Sequence, residues 1–329
     1  MTDNHETAEW RETAEWGKPA GGWRWERVLH GIVPPLISPL DDTGAPDWLA
    51  MAALVEHVVG AGCTGLFMLG GCGEGAWLTP AQRGAVIRQA VRAAAGRVPV
   101  LAGVMLPGTG PATEAARQAA GEGADALVVG SPYYFGVDAA AQERHVGQVL
   151  AATPLPALLY NIPQCTHHVL PPATVRALAR DPRVLGIKDS AGDFEAFQAL
   201  LAIKQERPRF HVLQGHESLA AASLLQGADG MVPGLANVVP ALFVELQGAV
   251  DRGAAAESAA LQRRIAALAQ LYRQGPWLAA LKAACALRGL GNGRPAPPLV
   301  PARAADRDAV RALLEEAGAA RPALAAQAR

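Results

Sequence analysis

Charge of either sign is scarce in this 329-residue chain: 18% of residues are charged, and 29 Lys and Arg against 30 Asp and Glu leave a net charge of −1. The basic residues are scattered without runs, so the electrostatic footprint of a nucleic-acid or acidic-membrane partner is missing. The 4 cysteines (Cys63, Cys72, Cys165 and Cys285) stand alone, with no CxxC pair and no framework spacing. A reducing, cytoplasmic setting fits that usage. No apolar run approaches the roughly 18 residues of a membrane span. Met1 to Trp10 is polar and acidic, unlike the basic-then-apolar pattern of a signal peptide. What the chain does have is apolar mass. Half its residues are hydrophobic, enough for one large domain of about 250 residues with an appendage.

The pattern along the chain divides into three. Residues 1–27 carry a short duplication, ETAEW at Glu6–Trp10 and again at Glu12–Trp16, and read as a mobile tail. Residues 28–250 alternate between short, near-continuously apolar runs and Ala-rich stretches of helical spacing. The runs are Ile32–Ile37, Thr64–Leu69, Val98–Val104, Asp125–Val129, Pro156–Tyr160, Val184–Lys188, Phe210–Gln214 and Asp229–Val232. Continuous apolarity is the mark of parallel strands buried on both faces. Ala52, Leu54, Val55, Val58 and Val59 form one helical stripe, and Val86, Ile87, Ala90 and Val91 another. Eight such units predict an α/β fold, a (β/α)₈ TIM barrel. An open doubly wound sheet would carry a Gly-rich loop after its first strand, where this chain has Pro34-Pro35. Residues 251–329 read as a C-terminal helical extension.

In such a barrel the active site lies at the C-terminal ends of the strands. The residues expected there are Gly70-Gly71-Cys72-Gly73-Glu74, Tyr133-Tyr134, Tyr160-Asn161, Lys188-Asp189-Ser190 and His216-Glu217. Lys188 ends an apolar run, so its amine should enter a partly dry mouth, where desolvation favours the neutral, nucleophilic form. The alternative is a structural lysine whose amine pairs with Glu74 or Asp189. Tyr160 is placed to move protons beside it, or simply to pack and hydrogen-bond in the core. The Gly-rich loop offers backbone N–H groups to a carboxylate, or serves only as a tight connection.

Several separate motifs, in order, resemble the dihydrodipicolinate synthase / N-acetylneuraminate lyase family of class I aldolases. They run from about Gly31 to Leu299: GIVPPLISPL, GGCGEG, PVLAGV, SPYYF, YNIP, GIKDSAGD, GADGMVPGLAN and PAPPL. The resemblance implies that Lys188 is the Schiff-base lysine, Tyr160 the proton shuttle and Gly71-Cys72 the loop for the 2-keto acid carboxylate. It implies that Tyr134 reaches a neighbour's active site in a homotetramer, a dimer of dimers. Cys165, Thr166, Gly215, His216, Glu217 and Val232 fall at substrate-binding positions, and no metal or organic cofactor is called for.

Departures from the family narrow the expected function. Dihydrodipicolinate synthases have two threonines where this chain has Gly71 and Cys72, and an arginine where it has Cys165. Glycine supplies no hydroxyl, a thiol is a weaker donor than a hydroxyl, and the carboxylate clamp is lost. Keto-deoxy-glucarate dehydratases tolerate glycine at the first loop position, and neuraminate lyases place an acidic pair near His216-Glu217. The expectation is therefore a Schiff-base lyase or aldolase acting on pyruvate or a 2-keto-3-deoxy sugar acid. The alternatives are a 4-hydroxy-tetrahydrodipicolinate synthase, a keto-deoxy sugar-acid dehydratase and a non-catalytic 2-keto-acid-binding barrel. A thiol hydrolase pairing Cys72 with His216 is a further rival, although Glu74 breaks the usual nucleophile elbow. His167 and His168 line either a second-substrate pocket or an exposed loop.

Overall fold

A computed structural model describes residues 22–320. The duplicated ETAEW segment lies outside them, as does most of the stretch expected to be mobile. Within that stretch, Trp23 and Trp25 are placed against a buried cluster that includes Val28 and Leu29.

Seven parallel strands follow one another in chain order around one sheet. They are β1 (Leu66–Met68), β2 (Val100–Gly103), β3 (Ala126–Gly130), β4 (Ala157–Asn161), β5 (Val184–Asp189), β6 (His211–Gln214) and β7 (Gly230–Met231). Each falls on one of the apolar runs, with β3, β4 and β5 reaching one residue past its end. The first run, Ile32–Ile37, is the exception, and the expected count of eight strands is corrected to seven. Pro34 and Pro35 have no N–H to give a ladder, so the run makes only single bridges, Ile32 with Met231 of β7 and Pro35 with Phe67 of β1. Val33 donates to the Met231 carbonyl at 2.9 Å and Leu36 to the Phe67 carbonyl at 2.9 Å, so both edges of the sheet are bonded to this one segment. Asn237 supplies what the prolines cannot. Its carbonyl oxygen accepts from Ile37 N–H at 2.9 Å and its amide donates to the Pro35 carbonyl at 2.9 Å.

Helices cover the outer face, and their starts follow from local chemistry. Asp47, Asp138 and Asp193 cap the helices Trp48–Gly60, Ala139–Ala151 and Phe194–Glu206 by accepting a backbone N–H. Thr79 and Gln82 form a reciprocal capping box with Pro80 opening the helix Pro80–Ala94. The apolar stripes of Trp48–Gly60 and Pro80–Ala94 face inward, with Leu54, Val55, Val58, Val86, Ile87 and Ala90 buried. A second buried cluster, including Phe67, Leu101, Val128, Leu158, Tyr160, Leu213 and Val232, fills the inside of the curled sheet. Beyond Asp251 come the helices Ala255–Leu268 and Trp277–Leu287, and then Ala304–Glu316, which the sequence reading had not singled out. Among the described residues no helix is long and apolar enough to cross a membrane.

Two histidines sit in this outer layer in their neutral form. His145 is buried, with Nδ1 2.9 Å from Thr109 Oγ1, and burial lowers its pKa to about 4. His57 Nε2 faces the Val238 carbonyl at 3.2 Å, and burial, helped by Arg288, lowers its pKa to about 4. An unfolded chain takes up these protons near its ordinary 6.5 while the folded one refuses them until about 4. The neutral-histidine contribution to stability is thus complete above the unfolded value and is lost as pH falls towards 4. Urea midpoints measured from pH 7 to 4 should fall through this window. The His145→Gln variant should show a shallower fall.

Candidate active site

Register brings the chemistry together. Tyr160 of β4 is the direct partner of Lys188 of β5, and register partners in a parallel pair point to the same face. Here that face is the inside of the sheet. Lys188 Nζ lies 4.1 Å from the Tyr160 ring centre and 5.1 Å from that of Phe67. Phe67 meets Tyr160 edge to face at 5.9 Å. Lys188 and Tyr160 are 3% and 4% exposed.

Of the described lysines, Lys204 pairs with Asp229 and Lys282 with Glu74, whereas Lys188 has no carboxylate at ion-pair distance. The structural alternative for Lys188 therefore fails on both of its partners. Glu74 is taken by Lys282, and Asp189 accepts from Asn161 Nδ2 at 2.6 Å. Burial lowers the Lys188 pKa to about 8, against an upward pull from Cys72, Glu217 and Cys165. An unpaired ammonium in so dry a place is costly, which favours the free amine. Burial pushes the Tyr160 phenol up, with Ser190 opposing. Tyr160 thus keeps its proton until a neighbour draws on it.

The loop after β1 is held from below. Glu74 has φ +56, a left-handed conformation that is unfavourable for a side chain. Its carboxylate accepts the Ala296 N–H and pairs with the fully buried Lys282 of the helix Trp277–Leu287. Lys282 also donates to the carbonyls of Ser38 at 2.9 Å and Arg294 at 2.8 Å. Gly71 is exposed, with open space where a side chain would stand. Cys72 is buried, and burial pushes its thiol up to about 12. The His216 ring is turned to the surface, its Nδ1 2.8 Å from Ser218 Oγ. Cys72 and His216 do not form the nucleophile–base pair of a thiol hydrolase.

Glu217 faces the mouth. Its Oε1 accepts from the Tyr272 hydroxyl at 2.9 Å and from Leu235 N–H at 3.1 Å. Val232 is buried inside the sheet with Tyr160. Cys165 is exposed at the rim. Thr166 is buried, its hydroxyl bonded to the carbonyls of Ile162 at 3.1 Å and His168 at 2.9 Å. The ring of Tyr134, 83% exposed with φ +84, rests on Phe135 and lies on the outer surface. His168 is tied to the Phe135 carbonyl at 3.0 Å. Among the described residues no cluster of three His, Cys, Asp or Glu side chains stands at metal-ligand spacing.

The family model described as the dihydrodipicolinate synthetase family matches residues 28–317. The chain belongs to that family. The match takes in Tyr272 and Lys282 and runs through the helix Ala304–Glu316. The chain is 33% identical over 296 residues to a probable 2-dehydro-3-deoxy-D-pentonate aldolase of Escherichia coli K12, covering 89% of this chain and 98% of that protein. It is 38% identical over 229 residues to a 4-hydroxy-tetrahydrodipicolinate synthase of Xylella fastidiosa, covering 69% and 75%. Among solved structures, an E. coli K12 prophage protein of the same family, in complex with pyruvate, superposes with a TM-score of 0.85 at 31% identity, covering 88% of this chain and 98% of that one.

Sequence reasoning missed Lys282 and Tyr272. The signal for Lys282 was available, a lone charge on the buried face of the apolar helix segment Leu278–Cys285. Gly215 gains a sharper role than substrate contact. A side chain there would stand 2.8 Å from Lys188 Cε and closer still to Ser190 Oγ, so the Lys188 stem would have to move. Gly215→Ala should leave the fold intact by circular dichroism and lower turnover about 10²-fold, the cost of a misplacement near 1 Å.

Proposed function

We propose that the protein is a lysine Schiff-base lyase acting on pyruvate or a 2-keto-3-deoxy sugar acid. The reading is carried by Lys188, a buried lysine without a carboxylate partner among the described residues, set 4.1 Å from the ring of Tyr160. The free amine attacks the 2-keto carbon while backbone N–H groups of the Gly71-Cys72 loop hold the adjacent carboxylate. Tyr160 gives and takes the protons as the carbinolamine loses water to form an iminium. Breaking the C3–C4 bond then sends its electron pair into the iminium while the C4 hydroxyl gives its proton to the Tyr160 phenolate left by loss of water, releasing an aldehyde and leaving an enamine. Protonation at C3 and hydrolysis return pyruvate and the free amine.

A sugar-acid partner is favoured over a semialdehyde carboxylate because the rim carries the Cys165 thiol and the Glu217 carboxylate. The named aldolase relative supports this, and the synthase relative keeps condensation in view. We further propose that the segment Gly31–Leu36 acts as an eighth stave closing a (β/α)₈ barrel, and that the described part of the stretch 251–329, up to residue 320, serves as its helical extension. Tyr134, exposed beside Phe135, is proposed to reach the active site of a neighbouring protomer in a homotetramer, a dimer of dimers.

Borohydride reduction in the presence of pyruvate, followed by peptide mapping, tests the mechanism. A stable adduct on Lys188 is expected. An adduct with a longer 2-keto acid but not with pyruvate would favour the dehydratase reading. Failure to trap either would remove the Schiff base.

A further inference from the structure

The residues that follow Tyr160 and Lys188 along their strands are also register partners. Asn161 and Asp189 point to the opposite face of β4 and β5, and their side chains meet there. Asn161 Nδ2 donates to Asp189 Oδ1 at 2.6 Å, with the two residues 3% and 2% exposed. The amide cannot turn over without loss. Its Oδ1 already accepts the Leu170 N–H at 2.9 Å, which leaves Nδ2 facing Asp189. The surrounding backbone closes the same joint, Ser190 N–H bonding the Asn161 carbonyl at 2.9 Å and Gly215 N–H the Asp189 carbonyl at 2.7 Å. Asp189 has no cation at ion-pair distance among the described residues, and its burial pushes the carboxyl pKa up.

A buried carboxylate held by the Asn161 amide and the Ala191 backbone N–H, with no cation beside it, is an expensive way to join two strands, since apolar side chains would pack there at less cost. What the polar pair adds is direction. We propose that the Asn161–Asp189 hydrogen bond is a positioning element that fixes the ends of β4 and β5 so that the Tyr160 phenol stays in proton-transfer range of the Lys188 amine. Neither residue touches the substrate; both act through the neighbours they hold. The proposal rests on the Schiff-base reading given above.

The test uses exchange of the pyruvate methyl protons for deuterium in D₂O, followed by NMR and expressed per borohydride-trappable site. Normalising to trappable sites removes any loss that merely reflects a smaller folded fraction. Asn161→Asp sets two carboxylates against each other, and Asn161→Ala removes the donor. Each should slow exchange per site about 10²-fold with little change in the pyruvate concentration giving half-maximal rate. The reciprocal double variant, Asn161→Asp with Asp189→Asn, rebuilds the bond with donor and acceptor reversed and should return exchange to within about threefold of wild type. Single variants that exchange at the wild-type rate per site would overturn the proposal. So would a folded double variant as slow as Asn161→Asp, or loss of the fold in both single variants, which would make the pair purely structural. Wild-type protein that traps no pyruvate would instead defeat the Schiff-base reading, so the two failures are distinct.

Discussion

Lys188→Ala is expected to lower pyruvate proton exchange and sugar-acid turnover on the order of 10⁴-fold or more, because the covalent path is lost and no neighbouring amine replaces it. The fold should persist. Among the described residues Lys188 holds no ion pair, so its removal strands no buried carboxylate there, and near-ultraviolet circular dichroism should overlay on wild type. The pH profile of the unmodified protein gives a second reading of the same group. Below its pKa of about 8 the amine is protonated and cannot attack, so kcat/KM should rise with pH and level off above about 8. Retained turnover in Lys188→Ala, or a profile flat across pH 7 to 9, would sink the assignment.

The largest expected effect on stability lies elsewhere. Lys282→Met should destabilise the protein by about 3–5 kcal/mol, since it leaves the Glu74 carboxylate buried without its cation. Among the described residues the Glu74 carboxylate accepts only the Ala296 N–H besides that pair, and burial already pushes its pKa up. Adding Glu74→Gln to Lys282→Met removes the stranded charge and should recover part of the loss. Urea unfolding of the two variants decides the matter. A Lys282→Met variant within about 1 kcal/mol of wild type would mean that the pair adds little to the fold.

Much of this could be read from the chain because parallel strands leave a strong trace. Seven of the eight apolar runs are strands, and the residues at their ends, Tyr160 and Lys188, meet because equal offsets along adjacent parallel strands become neighbours. The run at Ile32–Ile37 looked the same in hydropathy. Hydropathy does not register a missing N–H, and Pro34-Pro35 should have demoted it. Loop residues were harder. The resemblance implies substrate contacts at Thr166 and His216, and what the structure shows of them is local: the Thr166 hydroxyl bonds its own backbone and the His216 ring Ser218. Such choices depend on local turn geometry. Long-range partners such as Tyr272 for Glu217 and Lys282 for Glu74 left no periodic trace, since only the finished fold brings them near.

That last pairing bears on how the molecule is made. The Ala296 N–H that Glu74 needs lies 222 residues further along the chain, and Lys282 emerges from the ribosome almost as late. A nascent chain displaying all seven strands therefore still carries a Glu74 that no cation has met, in a loop whose backbone is uncomfortable without it. The pocket is thus among the last parts of the protein to set during biosynthesis. Shortened or stalled translation products that look nearly complete by length would lack a working mouth.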